Sequence, residues 1–233
     1  MNKVISIMQP TYLPWAGYFH LISQVDTFVY LDNVQFTRHS WQSRNRILVQ
    51  GVEHYLSIPI KKRMSLNTLI YTVESSPTHL DWQSKHWDLI KASYSKALYG
   101  NELLNILEPH YKYLGVVNIA EFNIAIISDI TKALNLTPNF VRASELQCSG
   151  VRSERLISIC NIIEADTYLS PLGAREYLIE DGFEEKSGIP LIFQSFEPLP
   201  YSQYDSDKYI SHLSIIDVIA NIGLKATQAY IKG

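Results

Sequence analysis

Residues Met8 to Arg46 read MQPTYLPWAGYFHLISQVDTFVYLDNVQFTRHSWQSRNR, and the fold follows from how this stretch divides. It is entered through an apolar run, Val4-Ile5-Ser6-Ile7-Met8, of the length of a short buried strand. Pro10 and Pro14 then force an irregular loop, because each fixes φ and lacks an N–H donor. Gly17 ends the loop, and Tyr18-Phe19-His20-Leu21-Ile22 supplies the apolar face of a short helix. A strand, a Pro/Gly loop and a helix in that order set a helix N-terminus at the carboxyl end of a strand. Open α/β sheets bind ligands there, and backbone N–H groups attract anions. Gln9, Tyr12, Trp15, Gly17 and Tyr18 are the binding candidates of this loop.

The second half of the stretch carries polar chemistry. Thr27-Phe28-Val29-Tyr30-Leu31 is a strand by its β-branched and aromatic content. Asp32 stands at its end, followed by Gln35, Arg38, His39, Ser40, Trp41, Arg44, Asn45 and Arg46. Arginine presents a planar fork of donors to carboxylate or phosphate, and Trp offers a stacking face. Such a cluster on a loop behind a strand suits an anionic, partly planar ligand such as a nucleotide sugar. A solvated loop with surface arginines is the plainer alternative. If the two halves of the stretch follow adjacent strands, both sets of side chains line one pocket.

Bulk properties narrow the classes. The chain has 233 residues, 46% hydrophobic, which fits one large domain or two small ones with a sizeable core. A net charge of -3 and a pI near 6.2 give no support for nucleic-acid or anionic-membrane binding. Fifteen tyrosines suit core anchors and also sugar-facing sites, where a flat apolar face with a polar tip is useful. No signal peptide and no apolar run of membrane-spanning length is expected. Cys148 and Cys160 are too few for a disulfide framework and are expected as reduced thiols in a cytoplasmic protein.

Further on, Arg46 to Gln50 and His54 to Ile60 read as a hairpin joined at Gly51, with Pro59 placing the second strand at an edge or ending it. Lys61-Lys62-Arg63 reads as a solvated turn, and Leu69 to Val73 as a further strand. Trp82, His86, Leu89, Ile90 and Tyr94 recur at helical spacing. A second helix runs from Asn101 until Pro109 stops it, and Asn118 to Leu134 carries a broad apolar stripe. His79 and His86 lack a third neighbouring ligand, so no metal site is expected, and His86 reads as a packed, hydrogen-bonded histidine. The last third alternates again. Asn139–Arg142, Ala165–Leu169 and Ile189–Phe196 read as strands; Val151–Ile163, Ala174–Ile179 and Leu213–Ile222 read as helices, with Gly223 a C-cap. The second Pro/Gly loop, Ser170 to Gly173, sits like the first between strand and helix. In a parallel sheet both loops open on the carboxyl edge, so Ser170 and Gly173, flanked by Tyr201 and Gln203, are expected to share a cleft with the first loop; the plainer alternative is a tight turn at Pro171 and Gly173 that needs no ligand.

QPTYLPWAGYF, DNVQFTRHSWQSRNRI, Trp82 with His86 and Tyr94, TYLSPLGAREYL, Tyr201-Ser202-Gln203 and LSIIDVIANIG follow one another in an order that resembles the WbqC-like family over nearly the whole chain. The resemblance implies a place in O-antigen or related surface-polysaccharide gene clusters, and a role in attaching glycine or another amino-acid group to an amino sugar. Gln9 to Tyr18 is also similar to the His-x-Gly-His loop of nucleotidyltransferases and adenylate-forming ligases. Gly17 fits that motif, but Trp15 and Tyr18 replace its two histidines and cannot supply their charge. Pattern and resemblance together predict an α/β fold: a mostly parallel Rossmann-like sheet with flanking helices, a small β-hairpin unit and a helical insertion over about residues 78–136 in a single domain spanning 1–233.

Two function classes follow. The first is a transferase or ligase that joins an amino-acid or acyl group to the amine of a nucleotide-linked deoxyamino sugar. It needs an acyl or aminoacyl donor, activated by ATP or carried as a thioester. The amine must be neutral to react, so a general base is required, and Asp32, His39 and His86 are candidates by residue type. Asn45 or loop N–H groups are candidate donors to the oxyanion. The second class is a protein that holds a sugar nucleotide or a partner enzyme without chemistry. Turnover separates the two.

Overall fold

A computed structural model describes residues 2–62, 65 and 67–233. In chain order its strands are β1 (Val4–Met8), β2 (Thr27–Tyr30), β3 (Arg44–Val49), β4 (Val52–Ser57), β5 (Asn139–Arg142), β6 (Thr167–Ser170) and β7 (Leu191–Phe193). Its helices are α1 (Ala16–Ser23), α2 (Trp82–Tyr94), α3 (Gly100–Tyr111), α4 (Ile119–Ala133), α5 (Ser153–Ile163), α6 (Arg175–Glu180), α7 (Phe183–Ser187) and α8 (Ile215–Tyr230).

Five strands form one parallel sheet in the order β5-β2-β1-β6-β7. Its central strand is the apolar run that opens the chain. Period-two alternation sends Ile5 and Ile7 to one face and, from the neighbouring strand, Phe28 and Tyr30 to the other. The first face packs with Val29 and Tyr168 under α5, α6 and α7. The second, joined by Leu169, packs under α1, α4 and α8. Each large side chain buried this way stabilises the fold by roughly 1.5–3 kcal/mol, so helices on both faces close the parallel sheet against water.

β3 and β4 pair antiparallel as a separate two-stranded unit. Gln50 and Gly51 both have positive φ (50° and 74°), the geometry of the tight turn whose twist matches a hairpin. Between this unit and β5 lie α2, α3 and α4, which pack on one another. Asn118 caps α4 by accepting from the Glu121 N–H at 3.1 Å.

Some boundaries depart from the sequence pattern. Leu69 to Val73 is no strand. A single bridge joins Leu69 to Gln35, and Ile70–Thr72 then turns as a 3-10 segment. Pro109 does not end α3, which continues to Tyr111. It lies in the last turn with its ring in solvent, where only one backbone bond is lost. α8 runs past Gly223, but that residue leaves helical geometry at φ 79° and ψ 165°. A Cβ there would fall 2.7 Å from the Tyr99 ring, so the kink and the close approach both require glycine. α7 has too little periodicity to be read from sequence. Of the basic run, Lys61 and Lys62 are exposed, and Arg63 lies outside the described residues. No helix among the described residues is long and apolar enough to cross a membrane.

Candidate functional site

The sheet fixes where a ligand can enter. From β1 the chain crosses to β2 on one side, whereas β6, parallel to β1 on its other side, leads away to β7. Connections leaving adjacent strands in opposite directions open a crevice at their carboxyl ends. A cleft of about 1260 Å³ lies there, with Trp15, Gly17 and Tyr18 from the first Pro/Gly loop and α1, and Gly173 from the second loop, on its walls. A smaller pocket of about 270 Å³ shares Met8, Trp15, Tyr18 and His212 with it and adds Trp41, Asn45 and Arg46.

Trp15 divides the two spaces and is held from several sides. Its indole stacks on the His212 ring at 4.9 Å and leans on Phe196 at 5.7 Å. It also lies over Gly17, where a Cβ would meet it at 2.1 Å. The loop behind it is pinned by Asn45, whose Nδ2 donates to the carbonyls of Tyr12 (3.0 Å) and Leu13 (2.8 Å). Gln9 accepts from Gln42 Nε2 at 2.7 Å, and its carbonyl accepts from the Tyr18 hydroxyl at 3.1 Å.

The cleft also carries groups that residue type alone did not single out. Gln194 donates through Nε2 to the Gly17 carbonyl at 2.7 Å and lies 2.9 Å from His20 Nδ1. Its backbone N–H donates to Ser170 O at 2.9 Å, so one residue ties both loops together. Burial lowers the His20 pKa, keeping the ring neutral near pH 7. Nδ1 accepts from Gln194, which leaves Nε2 as the N–H donor. Glu197 is the one acidic side chain on the cleft wall among the described residues. Gln194 and Glu197 come from the segment after β7, distant in sequence from α1, which carries His20, and no local motif marks them.

The arginine cluster spreads over the rim. Arg46 lies over the Trp41 ring (5.7 Å), donates through Nη1 to Glu53 (2.8 Å) and through Nη2 to the His212 carbonyl (2.9 Å). Its Nε is buried and has no partner among the described residues. Arg44 covers the Tyr55 ring at 4.9 Å, and Trp41 stacks on Tyr55 at 6.4 Å. The result is a ladder of guanidinium and aromatic planes leading out of the smaller pocket. Arg38 lies apart and donates to the carbonyls of Lys61 and Lys62. His39, at φ 57°, and Ser40, bonded to Thr37 O at 2.7 Å, shape the exposed turn between.

Other expected site residues are placed elsewhere. Tyr12 is fully buried, with its hydroxyl 2.9 Å from His86 Nδ1 and 2.6 Å from the Tyr111 hydroxyl. His86 therefore sits in the core against Trp82, and burial lowers its pKa to about 4. Asp32 is buried and accepts from Ser144 twice, from N–H at 2.8 Å and from Oγ at 2.6 Å. Gln35 lines a separate cavity. Ser170 is fully buried, and its hydroxyl donates to Pro171 O at 3.2 Å. Tyr201 and Gln203 donate to Asp217 Oδ2 at 2.7 and 2.8 Å. Tyr94 donates to Oδ1 at 3.1 Å. This buried carboxylate, its pKa raised by burial against the pull of those donors, gathers both residues into the core. Among the described residues no group of three or more His, Cys, Asp or Glu side chains is arranged to hold a metal ion.

Residues 9–229 match the family described as the WbqC-like protein family. An uncharacterised protein of Mycobacterium tuberculosis (strain ATCC 25618 / H37Rv) is 27% identical over 234 residues, covering 96% of each chain. No solved structure matches the chain.

Proposed function

The chain belongs to the WbqC-like family, and we propose that it is a cytoplasmic enzyme of O-antigen or related surface-polysaccharide biosynthesis that attaches an acyl or aminoacyl group to the amine of a nucleotide-linked deoxyamino sugar. The observation that carries this reading is Trp15, set between a cleft at the β1–β6 crevice and a side pocket bordered by Trp41 and Arg46. A nucleotide needs a stacking surface and donors for its phosphates. Trp41 and the arginines supply both, and the larger cleft then receives the sugar.

In the proposed step the neutral amine attacks the carbonyl carbon of a donor activated as a thioester or, through ATP, as an adenylate. The new N–C bond forms, the donor's leaving group departs with its bonding electron pair, and the amine's proton passes to Glu197. The His20 Nε2–H offers a hydrogen bond to the developing oxyanion. Asp32 and His86, suited to the base by residue type, are committed to Ser144 and Tyr12. That commitment favours, as a second reading, a protein that holds the sugar nucleotide without turnover.

The two readings separate in one assay. Purified protein is incubated with amino-sugar nucleotides and thioester or ATP-activated donors, and products are followed by mass. Enzymatic amide formation that falls at least about tenfold in Glu197→Gln, with unchanged sugar-nucleotide affinity, supports catalysis and the base. Tight binding with no product from any donor supports the second reading. No binding overturns both.

A further inference from the structure

The carboxyl edge of the sheet holds another cavity, of about 510 Å³, beyond β2 and β5. It shares no lining residue with the two spaces around Trp15. We propose that this cavity is a second binding site, for a small molecule with an anionic head, a carboxylate or a phosphate, and an apolar body.

Two arginines define the charged wall. Arg155 donates through Nε to the Gly150 carbonyl at 3.0 Å and through Nη1 to the Asn33 carbonyl at 2.6 Å. Both partners are neutral, and no carboxylate of the described residues pairs with Arg155. The guanidinium is thus fixed in place with its charge uncompensated, and Nη2 has no partner among the described residues. Arg152 adds a second cation, lying over the Tyr177 ring at 5.6 Å. Its Nε is 3.3 Å from Asp181, and its side chain is 61% exposed. Leu31, Val34, Leu69 and Leu156 form the apolar part of the lining. A fixed guanidinium with an uncompensated charge beside apolar walls favours an anionic head on a body that leaves water readily.

The walls are built before any ligand arrives. Asp32 holds Ser144 by its N–H and hydroxyl, and Asn33 Nδ2 donates to the Ala143 carbonyl at 2.9 Å. With Arg155 bound to Asn33, the segment after β2, the segment after β5 and α5 are tied to one another. Ile70 and Tyr71 donate their N–H groups to Val34 O and Asp32 O, each at 3.0 Å, and bring in the last wall. Asp32, a candidate base by sequence, is by geometry a brace of this cavity. The proposal stands independently of the amide-forming reading.

The test is chemical-shift mapping on the full chain with hexyl phosphate, hexanoate, inorganic phosphate and hexanol. Saturable shifts at Asn33, Ser144 and Val151 are expected with hexyl phosphate or hexanoate, whichever binds tighter naming the head group. Inorganic phosphate should bind about tenfold more weakly or worse, and hexanol should not saturate. Arg155→Gln should weaken binding about tenfold, the scale of one charge-assisted hydrogen bond. Because Arg155 also braces Asn33, Arg152→Gln at the exposed rim and Val151→Trp, which fills the mouth, are read beside it. They should weaken and abolish binding with the fold intact. Shifts confined to the Trp15 cleft, an equal response to hexanol, or unchanged affinity in Arg152→Gln and Val151→Trp would overturn the site.

Discussion

The indole of Trp15 occupies the space that any side chain at Gly17 would need: a Cβ built there falls 2.1 Å from Trp15 Cζ2. Gly17 therefore determines where the wall between the two spaces stands. In Gly17→Ala the helix itself gains up to about 1 kcal/mol, because Ala is the better helix former. The indole, wedged between His212 and Phe196, must move. We expect little change in melting temperature, a shifted Trp emission, and sugar-nucleotide affinity reduced about tenfold or more by calorimetry. In a Trp15→Ala background the same change should cost almost nothing further, since the clash is gone. A full additional loss there would separate Gly17 from Trp15.

His86 sets a pH dependence of stability. Its folded pKa is lowered to about 4 from 6.5, first by burial. The unfolded chain then binds a proton below about pH 6.5 that the folded chain refuses until about pH 4. Stability from this group is fully present above pH 6.5 and is lost as pH falls through that window. The fall from 6.5 to about 4 corresponds to about 3 kcal/mol. His86→Gln should remove most of that slope, although it also disturbs the bond to Tyr12. Urea midpoints at pH 7, 5.5 and 4.5 check this, and parallel slopes in the two proteins would refute it.

Much of the fold was legible because it is written locally. The apolar run of β1, the Pro/Gly loops and the Gln50–Gly51 turn each act within a few residues. Trp15, Trp41 and Arg46, expected to line one space, do border the same pocket for the same reason, since the loops that carry them follow adjacent strands. The partners of buried polar groups were not legible. Asp32 meets Ser144 and His20 meets Gln194 across 112 and 174 residues. Those meetings follow from the strand order, which no local pattern numbers. Tyr201 and Gln203 show the same limit: their residue types suit a sugar, and only the fold reveals the Asp217 carboxylate beneath them.

Asp217 supplies the third prediction. One oxygen accepts from Tyr94 and the other from both Tyr201 and Gln203. In Asp217→Asn an amide N–H₂ must replace one of these acceptors and face donors. Each stranded donor costs about 1–3 kcal/mol, so a loss of roughly 2–4 kcal/mol in urea unfolding is expected. Tyr201→Phe removes one donor and leaves the carboxylate two others, so its loss should stay near about 1 kcal/mol. Sugar-nucleotide affinity should change less than about threefold in Tyr201→Phe. A larger drop without a matching stability loss would return Tyr201 to the binding surface.

The arginine ladder gives the last prediction, and it discriminates between neighbours. Arg46 spends Nη1 on Glu53 and Nη2 on the His212 carbonyl, and lines the smaller pocket. Arg44 lies over Tyr55 on the open face and forms no ion pair among the described residues. Lysine keeps the charge at either position but loses the planar fork. Arg46→Lys should therefore lose the planar guanidinium face on the pocket wall and the tie to the His212 carbonyl. A drop in anionic-ligand binding of about 1.5–3 kcal/mol is expected, with a smaller loss of stability. Arg44→Lys should weaken binding by the same order if its guanidinium reaches the ligand's phosphates across Tyr55. Arg38→Lys, whose fork serves two backbone carbonyls of the neighbouring loop, is the control and should leave affinity within about twofold. Calorimetry with a nucleotide sugar ranks the three. If Arg38→Lys costs as much as Arg46→Lys, the cluster acts as a diffuse positive field and the pocket beside Trp15 does not hold the phosphates.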